Sequence, residues 1–304
     1  MGRTIRVCVL GGGCVARQYA DAVQATDGLQ VDLAPDADAF VLACGPRAIA
    51  NTISDAVSRQ IPMVIDPHAL LTSGSSKQKQ AWARVLKSGA LVALPWRTSP
   101  VVRFARELLP MPTFMHAHVY SSVGESVRRT TFHVIDLVLH LMRRSPDRMY
   151  AETGCVTTLN VELSPSMAGT IDFGDHGSAA FVTSSLAQAP STPPGSVLLT
   201  AGMQRVVLSA SLSQAEVVGF TDDAIESVLS PDLRRDPDNP NMVRSEWALM
   251  RGIEIVVSGL AGLVRSEHPL VGMPNLDGGL RTAALVRAAY ASEESGRPRR
   301  LVAR

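Results

Sequence analysis

The chain has 304 residues, of which 46% are hydrophobic and 19% charged, and a formal net charge of +1. That length suggests about two domains with ample apolar content for buried cores, and the balanced charge offers no electrostatic footing for nucleic acid or an acidic membrane surface. With no apolar run near about 18 residues and no charged-then-apolar leader, the expectation is a soluble cytoplasmic protein with no membrane contact.

Residues 5–10 form an apolar, β-rich run that leads straight into Gly11-Gly12-Gly13-Cys14-Val15-Ala16, and a helix-compatible segment follows over 17–25. Gly-x-Gly-x-x-Ala between a strand and a helix is the pattern of a dinucleotide-binding turn. Gly11 allows the tight turn, Gly13 lets backbone approach a pyrophosphate, and Ala16 keeps the helix close to the sheet with its positive end toward the phosphates. Gly11, Gly13, Cys14, Val15 and Ala16 are therefore candidate cofactor contacts, although a merely tight βα turn would read the same.

A short strand is predicted over 28–33, a buried strand over 38–44 ended by Gly45-Pro46, and a helix over 48–59. A strand over 62–65, a helix over 75–87 and a strand over 89–94 follow. Such alternation predicts a parallel, doubly wound sheet. Between Gly11 and the strand at Phe40 there is room for about one strand, where a doubly wound half normally holds two strands and a helix. The first domain, 1–112, is thus expected to be a shortened Rossmann-like domain. Asp32 and Asp36 lie near the offset of about 20 residues expected for a ribose-binding acid, and either could equally be a turn residue.

From residue 113 the texture changes. A strand is predicted over 114–121, a helix over 130–144, and a strand-rich stretch over 150–220 without intervening helices. This predicts an α+β domain over 113–304, built on a mainly antiparallel sheet with helices on one face. Residues 230–240 read as a loop, and helices are predicted over 245–266 and 276–292. In the first of these Trp247, Met250, Ile253, Val257, Leu260 and Val264 recur near helical spacing as a packing face. A sheet covered on one face only is expected to pair with another copy, giving a homodimer or homotetramer. The cysteines Cys8, Cys14, Cys44 and Cys155 have no CxxC spacing, which fits a reducing compartment and argues against a disulfide or zinc framework; no metal is expected.

The order of these parts resembles the Gfo/Idh/MocA family of nicotinamide-dependent oxidoreductases over most of the chain. Residues 38–46 resemble the family's strand before its Thr-Pro turn, and Trp96-Arg97-Thr98-Ser99-Pro100 its crossover out of the nucleotide domain. Thr131-Phe132-His133-Val134-Ile135-Asp136-Leu137 is similar to its Gly-x-His-x-x-Asp helix, and residues 170–179 to a hairpin of its C-terminal sheet. The resemblance implies NAD or NADP as cofactor, with Asp36, Cys44, Gly45 and Pro46 beside it, a small-molecule substrate and pairing through the C-terminal sheet. It implies His133 as proton donor or acceptor, since imidazole titrates near neutrality. Asp136, one turn on, would orient it or tie the helix to the sheet.

Three departures accompany the likeness. The family's Glu-Lys-Pro after the strand over 62–65 is Asp66-Pro67-His68 here, and proline has no side-chain donor to replace the lysine. The Asp four residues before the helix histidine is Arg129. The nucleotide domain is short. His68, just past a strand end where doubly wound sheets hold ligands, is a candidate to supply the missing proton. Arg97 and Arg129 offer guanidinium forks for a substrate carboxylate or phosphate, with Tyr120 beside them as a substrate-binding candidate. His133, Asp136 and His140 share a helix face with spacing that could ligate zinc, but no further ligand is evident. Arg265-Ser266-Glu267-His268-Pro269 is similar to a run in the thiazolinyl imine reductases of siderophore assembly lines, which turns the expectation toward C=N as well as C=O or CH–OH substrates.

Three readings follow. The first is an NAD(P)-dependent oxidoreductase of specialised metabolism. The second is a cofactor-independent enzyme catalysing cyclisation, elimination or isomerisation on the same scaffold. The third is a non-catalytic binding module.

Overall fold

A computed structural model of the chain describes residues 3–32, 36–44, 56, 58–71, 90–121, 127–154, 157–158, 161–162, 166–185, 195–209, 212–246, 248–265 and 276–301. The helices among them are α1 (Gly13–Ala25), α2 (Pro67–Leu71), α3 (Pro100–Leu108), α4 (Val127–Met142), α5 (Asp222–Ser227), α6 (Leu249–Val264) and α7 (Leu276–Ser295). Two compact units emerge: Met1–Thr98 with Leu249–Ala283, and Ser99–Ala248 with Ala284–Arg304. The sequence reading drew one boundary, between 112 and 113. The units instead divide after Thr98, and α6 returns to the first of them. The chain therefore visits each unit twice.

The first unit holds strands β1 (Ile5–Gly11), β2 (Leu29–Asp32), β3 (Ala39–Ala43), β4 (Met63–Ile65) and β5 (Leu91–Val92). They form one sheet in the order β2-β1-β3-β4-β5, every pairing parallel. Strands of this kind are buried on both faces, which is why β3 and β4 read as unbroken apolar runs. One core joins Ile5 and Val7 of β1 to Tyr19, Ala22 and Val23 of α1 and to Ile253, Val257 and Leu260 of α6. The packing face predicted around residue 257 is thus real, although it completes the first unit and not the second. Trp247 of that face lies outside the described residues, as do most of 48–59 and all of 75–87.

The shortening takes a definite form. β2 and β3 flank β1 on opposite sides. Asp32 at the end of β2 pairs with Cys8, and Ala39 at the start of β3 pairs with Val7, at nearly the same level. Residues 33–38 alone connect them, which leaves no length for a further strand and helix. Arg6 holds this connection: its guanidinium reaches Asp32 at 3.4 Å and Asp36 at 3.3 Å, and donates to the Asp36 carbonyl at 2.8 Å. The Arg6 amide donates to Asp38 Oδ2 at 2.9 Å.

The second unit is built on a ten-stranded sheet of β6 (Phe114–Ser121), β7 (Arg148–Gly154), β10 (Ser166–Asp172), β11 (Ser178–Ser185), β12 (Gly195–Ala201), β13 (Gln204–Ser209), β14 (Gln214–Val218), β15 (Arg234–Arg235), β16 (Met242–Arg244) and β17 (Arg299–Arg300). The short strands β8 (Thr157–Thr158) and β9 (Val161–Glu162) pair with each other apart from it. The order is β15-β16-β14-β13-β12-β6-β11-β10-β7-β17, antiparallel throughout except for β6 and β11, which run parallel. Alternation decides the faces. Met115, Ala117 and Val119 of β6 are buried with Phe181, Leu199 and Val206, under α4 and α3. His116 and His118 point to the opposite face and are half-buried.

Helix α3 was not predicted. Its start signal is present in Ser99-Pro100: the Ser99 hydroxyl accepts from the Val102 amide at 3.3 Å, and Pro100 takes the first helical position, where no backbone donor is missed. Likewise α1 begins at Gly13, not Arg17, because Gly12 in extended conformation caps it. No helix among the described residues is long and apolar enough to cross a membrane.

Candidate functional site

The strand order of the first unit reverses at β1/β3, and in open parallel sheets ligands sit in the crevice outside the carboxyl ends of the strands at such a point. Both strands are shaped for it. At Gly11, the last residue of β1 (φ +150°), a Cβ would lie 2.4 Å from the Ala43 carbonyl oxygen and 3.2 Å from the Cys44 nitrogen, so only glycine lets the two strand ends close up. Gly12 and Gly13 face the other way: a Cβ on either would meet nothing within 4 Å. Gly13 has φ +79°, which favours glycine for conformation rather than space.

Helix α1 starts there with no side-chain cap and no acidic residue in its first turn. Its first amides and the positive end of its dipole have no built-in anion, which suits a phosphate. Cys14 is exposed, Val15 half-buried and Ala16 buried, so the loop presents one side to solvent while Ala16 seats the helix.

Cys44 follows β3 and is half-buried; burial pushes its thiol up, and the charge of Asp66 adds to the shift. Asp66 follows β4, is 1% exposed, and accepts a hydrogen bond from the Tyr19 hydroxyl of α1 at 3.1 Å. This buried carboxylate stands where the family's glutamate was expected, and the Tyr19 contact was not foreseen. The signal was an acid placed directly after a buried strand. His68 is the second residue of α2, with a side chain outside the description, and Gly45 and Pro46 lie outside the described residues. Arg97 is half-buried in the 3-10 turn Pro95–Thr98. Asp36 does not join this edge. The structure brings it to Arg6, near the start of β1, whereas Gly11 is at the end. Asp32, at the carboxyl end of β2, is the better placed of the two acids.

In the second unit α4 carries Arg129, His133 and Asp136, which are 8%, 4% and 2% exposed. Their spacing of four and then three residues sets them along one side of the helix, with His140 next. Burying three ionisable groups on one helix is costly unless each is partnered, so such a row marks either a binding site or a structural network. The Thr131 and Thr183 hydroxyls, 2.8 Å apart, pin α4 to β11. Tyr120 belongs to β6, its side chain outside the description. Among the described residues no group of three or more His, Cys, Asp or Glu side chains could hold a metal ion.

No family model and no curated protein sequence matches this chain. Solved structures do, over nearly its whole length. An oxidoreductase from Agrobacterium radiobacter, in complex with NAD+, L-tartaric acid and magnesium, matches with a TM-score of 0.71 at 14% identity, covering 98% of each chain. GenD2 from gentamicin A biosynthesis, in complex with NAD, matches at 0.70 and 14% identity over 100% of this chain and 98% of that one. The UDP-N-acetylglucosamine 3-dehydrogenase GnnA from Acidithiobacillus ferrooxidans matches at 0.71 and 12% identity over 96% and 98%. The fold, a parallel N-terminal sheet followed by a mainly antiparallel one, is the two-domain Gfo/Idh/MocA fold.

Proposed function

We propose that this chain is an NAD(P)-dependent oxidoreductase that acts on a small molecule bearing a C=O/CH–OH or C=N group, in cytoplasmic specialised metabolism. The observation that carries this reading is the β1–α1 junction, a helix start with no side-chain cap behind glycines whose outer side is open. It suits a pyrophosphate, and Gly11, Gly13, Cys14, Val15 and Ala16 would hold it, with Asp32 and Cys44 toward the ribose and nicotinamide sides. When bound, the nicotinamide supplies or accepts a hydride. The chain's own part is the proton. An imidazole nitrogen of His133 gives or takes it, Asp136 orients the ring, and Arg129 and Arg97 anchor an anionic group of the substrate. His68 is the donor available where Pro67 has none. Tyr120 is a further substrate contact.

NADH and NADPH titrated into the purified chain should bind with a Kd of tens of micromolar, about −6 to −7 kcal/mol, the short adenosine side keeping affinity modest. His133→Ala should lower turnover by about 10²–10⁴ with cofactor Kd unchanged. No binding at millimolar cofactor, with turnover that needs none, would favour the second reading, a cofactor-independent enzyme of cyclisation, elimination or isomerisation. The connection 33–38 supports that alternative, since it is too short to hold the further strand and helix of a full nucleotide-binding half.

The same reading includes self-association through the face of the large sheet that α3 and α4 leave open. A homodimer or homotetramer would cover it. Neither nucleic acid nor membrane is a partner in this proposal.

A further inference from the structure

A dinucleotide-binding half grips its cofactor at two places. The pyrophosphate lies over the first helix, and the adenosine ribose lies beside the second strand, where a carboxylate takes the 2′-hydroxyl or an arginine the 2′-phosphate. This chain keeps the first place and withdraws the second. β1 ends at Gly11, whereas Asp32, the last residue of β2, is level with Cys8. At about 3.3 Å per residue that sets Asp32 about 10 Å back from the glycine loop. Asp38 is set back further. It precedes Ala39, which is level with Val7, and its amide donates to the Arg6 carbonyl at 2.9 Å. That is about 16 Å from the level of Gly11.

These acids are also committed. The Arg6 guanidinium stands 3.4 Å from Asp32, 3.3 Å from Asp36 and 3.7 Å from Asp38, and Arg3 reaches Asp38 at 2.9 Å. The basic group that could answer a 2′-phosphate is therefore engaged by three carboxylates. The other residues of the connection, Leu33, Ala34, Pro35 and Ala37, bring no polar side chain. The phosphate side is built in the opposite sense. α1 begins with no side-chain cap and no acid in its first turn, and a Cβ on Gly12 or Gly13 would meet nothing within 4 Å. Hydrogen bonds between a ribose and a carboxylate are ordinarily worth roughly 10- to 100-fold in affinity each. A ligand of this loop keeps its phosphate contacts and forgoes those.

We propose that this chain binds its cofactor without recognising the adenosine, so that reduced nicotinamide mononucleotide serves as a ligand nearly as well as NADH. The mononucleotide lacks the adenosine and one phosphate but retains a phosphate for the start of α1. The proposal rests on the oxidoreductase reading above and names the part of the cofactor that the site selects. The same arrangement removes the usual choice between cofactors. With the acids set back and Arg6 committed to them, neither β2 nor the connection separates NADH from NADPH.

Calorimetric titration of the full chain with NADH, NADPH and reduced nicotinamide mononucleotide tests this, and the wild-type series needs no variant. The dissociation constants of NADH and NADPH should agree within about fivefold, and that of the mononucleotide should lie within about tenfold of NADH. Gly12→Ala, its fold checked by circular dichroism, should weaken NADH and the mononucleotide alike, because both would use the same phosphate seat. A mononucleotide weaker than NADH by more than about tenfold would overturn the inference and leave the oxidoreductase reading standing. So would NADH and NADPH differing by more than about fivefold, or a Gly12→Ala effect on NADH alone. Failure of all three ligands to bind at millimolar concentration would overturn the oxidoreductase reading and this inference with it.

Discussion

Gly11 and Gly12 are adjacent and chemically identical, yet their surroundings predict opposite outcomes on substitution. A Cβ at Gly11 would press on the Ala43 carbonyl at 2.4 Å, and both partners are strand backbone that cannot move aside. Gly11→Ala should cost about 2–4 kcal/mol in denaturant unfolding. Gly12 has φ −136° and an empty surround, so Gly12→Ala should cost within about 1 kcal/mol. If the open side of the loop is where a pyrophosphate lies, the same Gly12→Ala should still weaken NADH binding at least tenfold by calorimetry. Unchanged affinity would leave the glycines a purely structural role. This loop was legible in the sequence because everything it needs is local: strand, glycines and helix are consecutive. The Tyr19–Asp66 contact was not, since its members are 47 residues apart and nothing near either one names the other. Tyr19→Phe should cost about 1–3 kcal/mol, because it leaves the buried Asp66 carboxylate one donor short.

At the scale of elements, α4 depends on a polar pin within an apolar contact. Phe132, Val134, Ile135 and Leu137 are fully buried around it, and the Thr131–Thr183 hydroxyl pair is buried too. Thr131→Val keeps the shape and deletes one hydroxyl. Thr183 retains the Met167 carbonyl at 3.4 Å as an acceptor, so a loss of about 1 kcal/mol in thermal unfolding is expected, with the fold intact. The helix itself was readable from its apolar period, and the prediction of 130–144 misses its start by about one turn because Arg128 and Arg129 interrupt that period at its first turn. Helix α3 goes unread for a different reason: Val101, Val102, Phe104, Ala105 and Leu108 do recur at helical spacing, but Ser99-Pro100 reads as part of a crossover. The long sheet read well because strict alternation, as in Met115-His116-Ala117-His118-Val119, can only mean one buried and one open face.

For the molecule as a whole, the sequence conveyed the fold class but not which segments complete which core. Alternation of strand and helix announces a parallel sheet, and nothing in the first 112 residues reveals that its helical cover comes from residue 249 onward. Ile253, Val256, Val257 and Leu260 of α6 pack into the core of Ile5, Val7, Tyr19 and Val23, and all four are at most 2% exposed. Each such side chain contributes about 1.5–3 kcal/mol of burial, so losing the four removes about 6–12 kcal/mol, comparable to the entire stability of about 5–15 kcal/mol of an ordinary domain. A fragment of residues 1–112 should therefore fail to fold, with collapsed amide dispersion in its NMR spectrum and no cooperative melt. Joining residues 249–283 to 1–98 by a flexible linker should restore both, because it rebuilds the core without the large sheet. A cooperative melt from 1–112 alone would mean that α6 is an accessory to the first unit. The sequence-drawn boundary would then be the true limit of an independently folding domain.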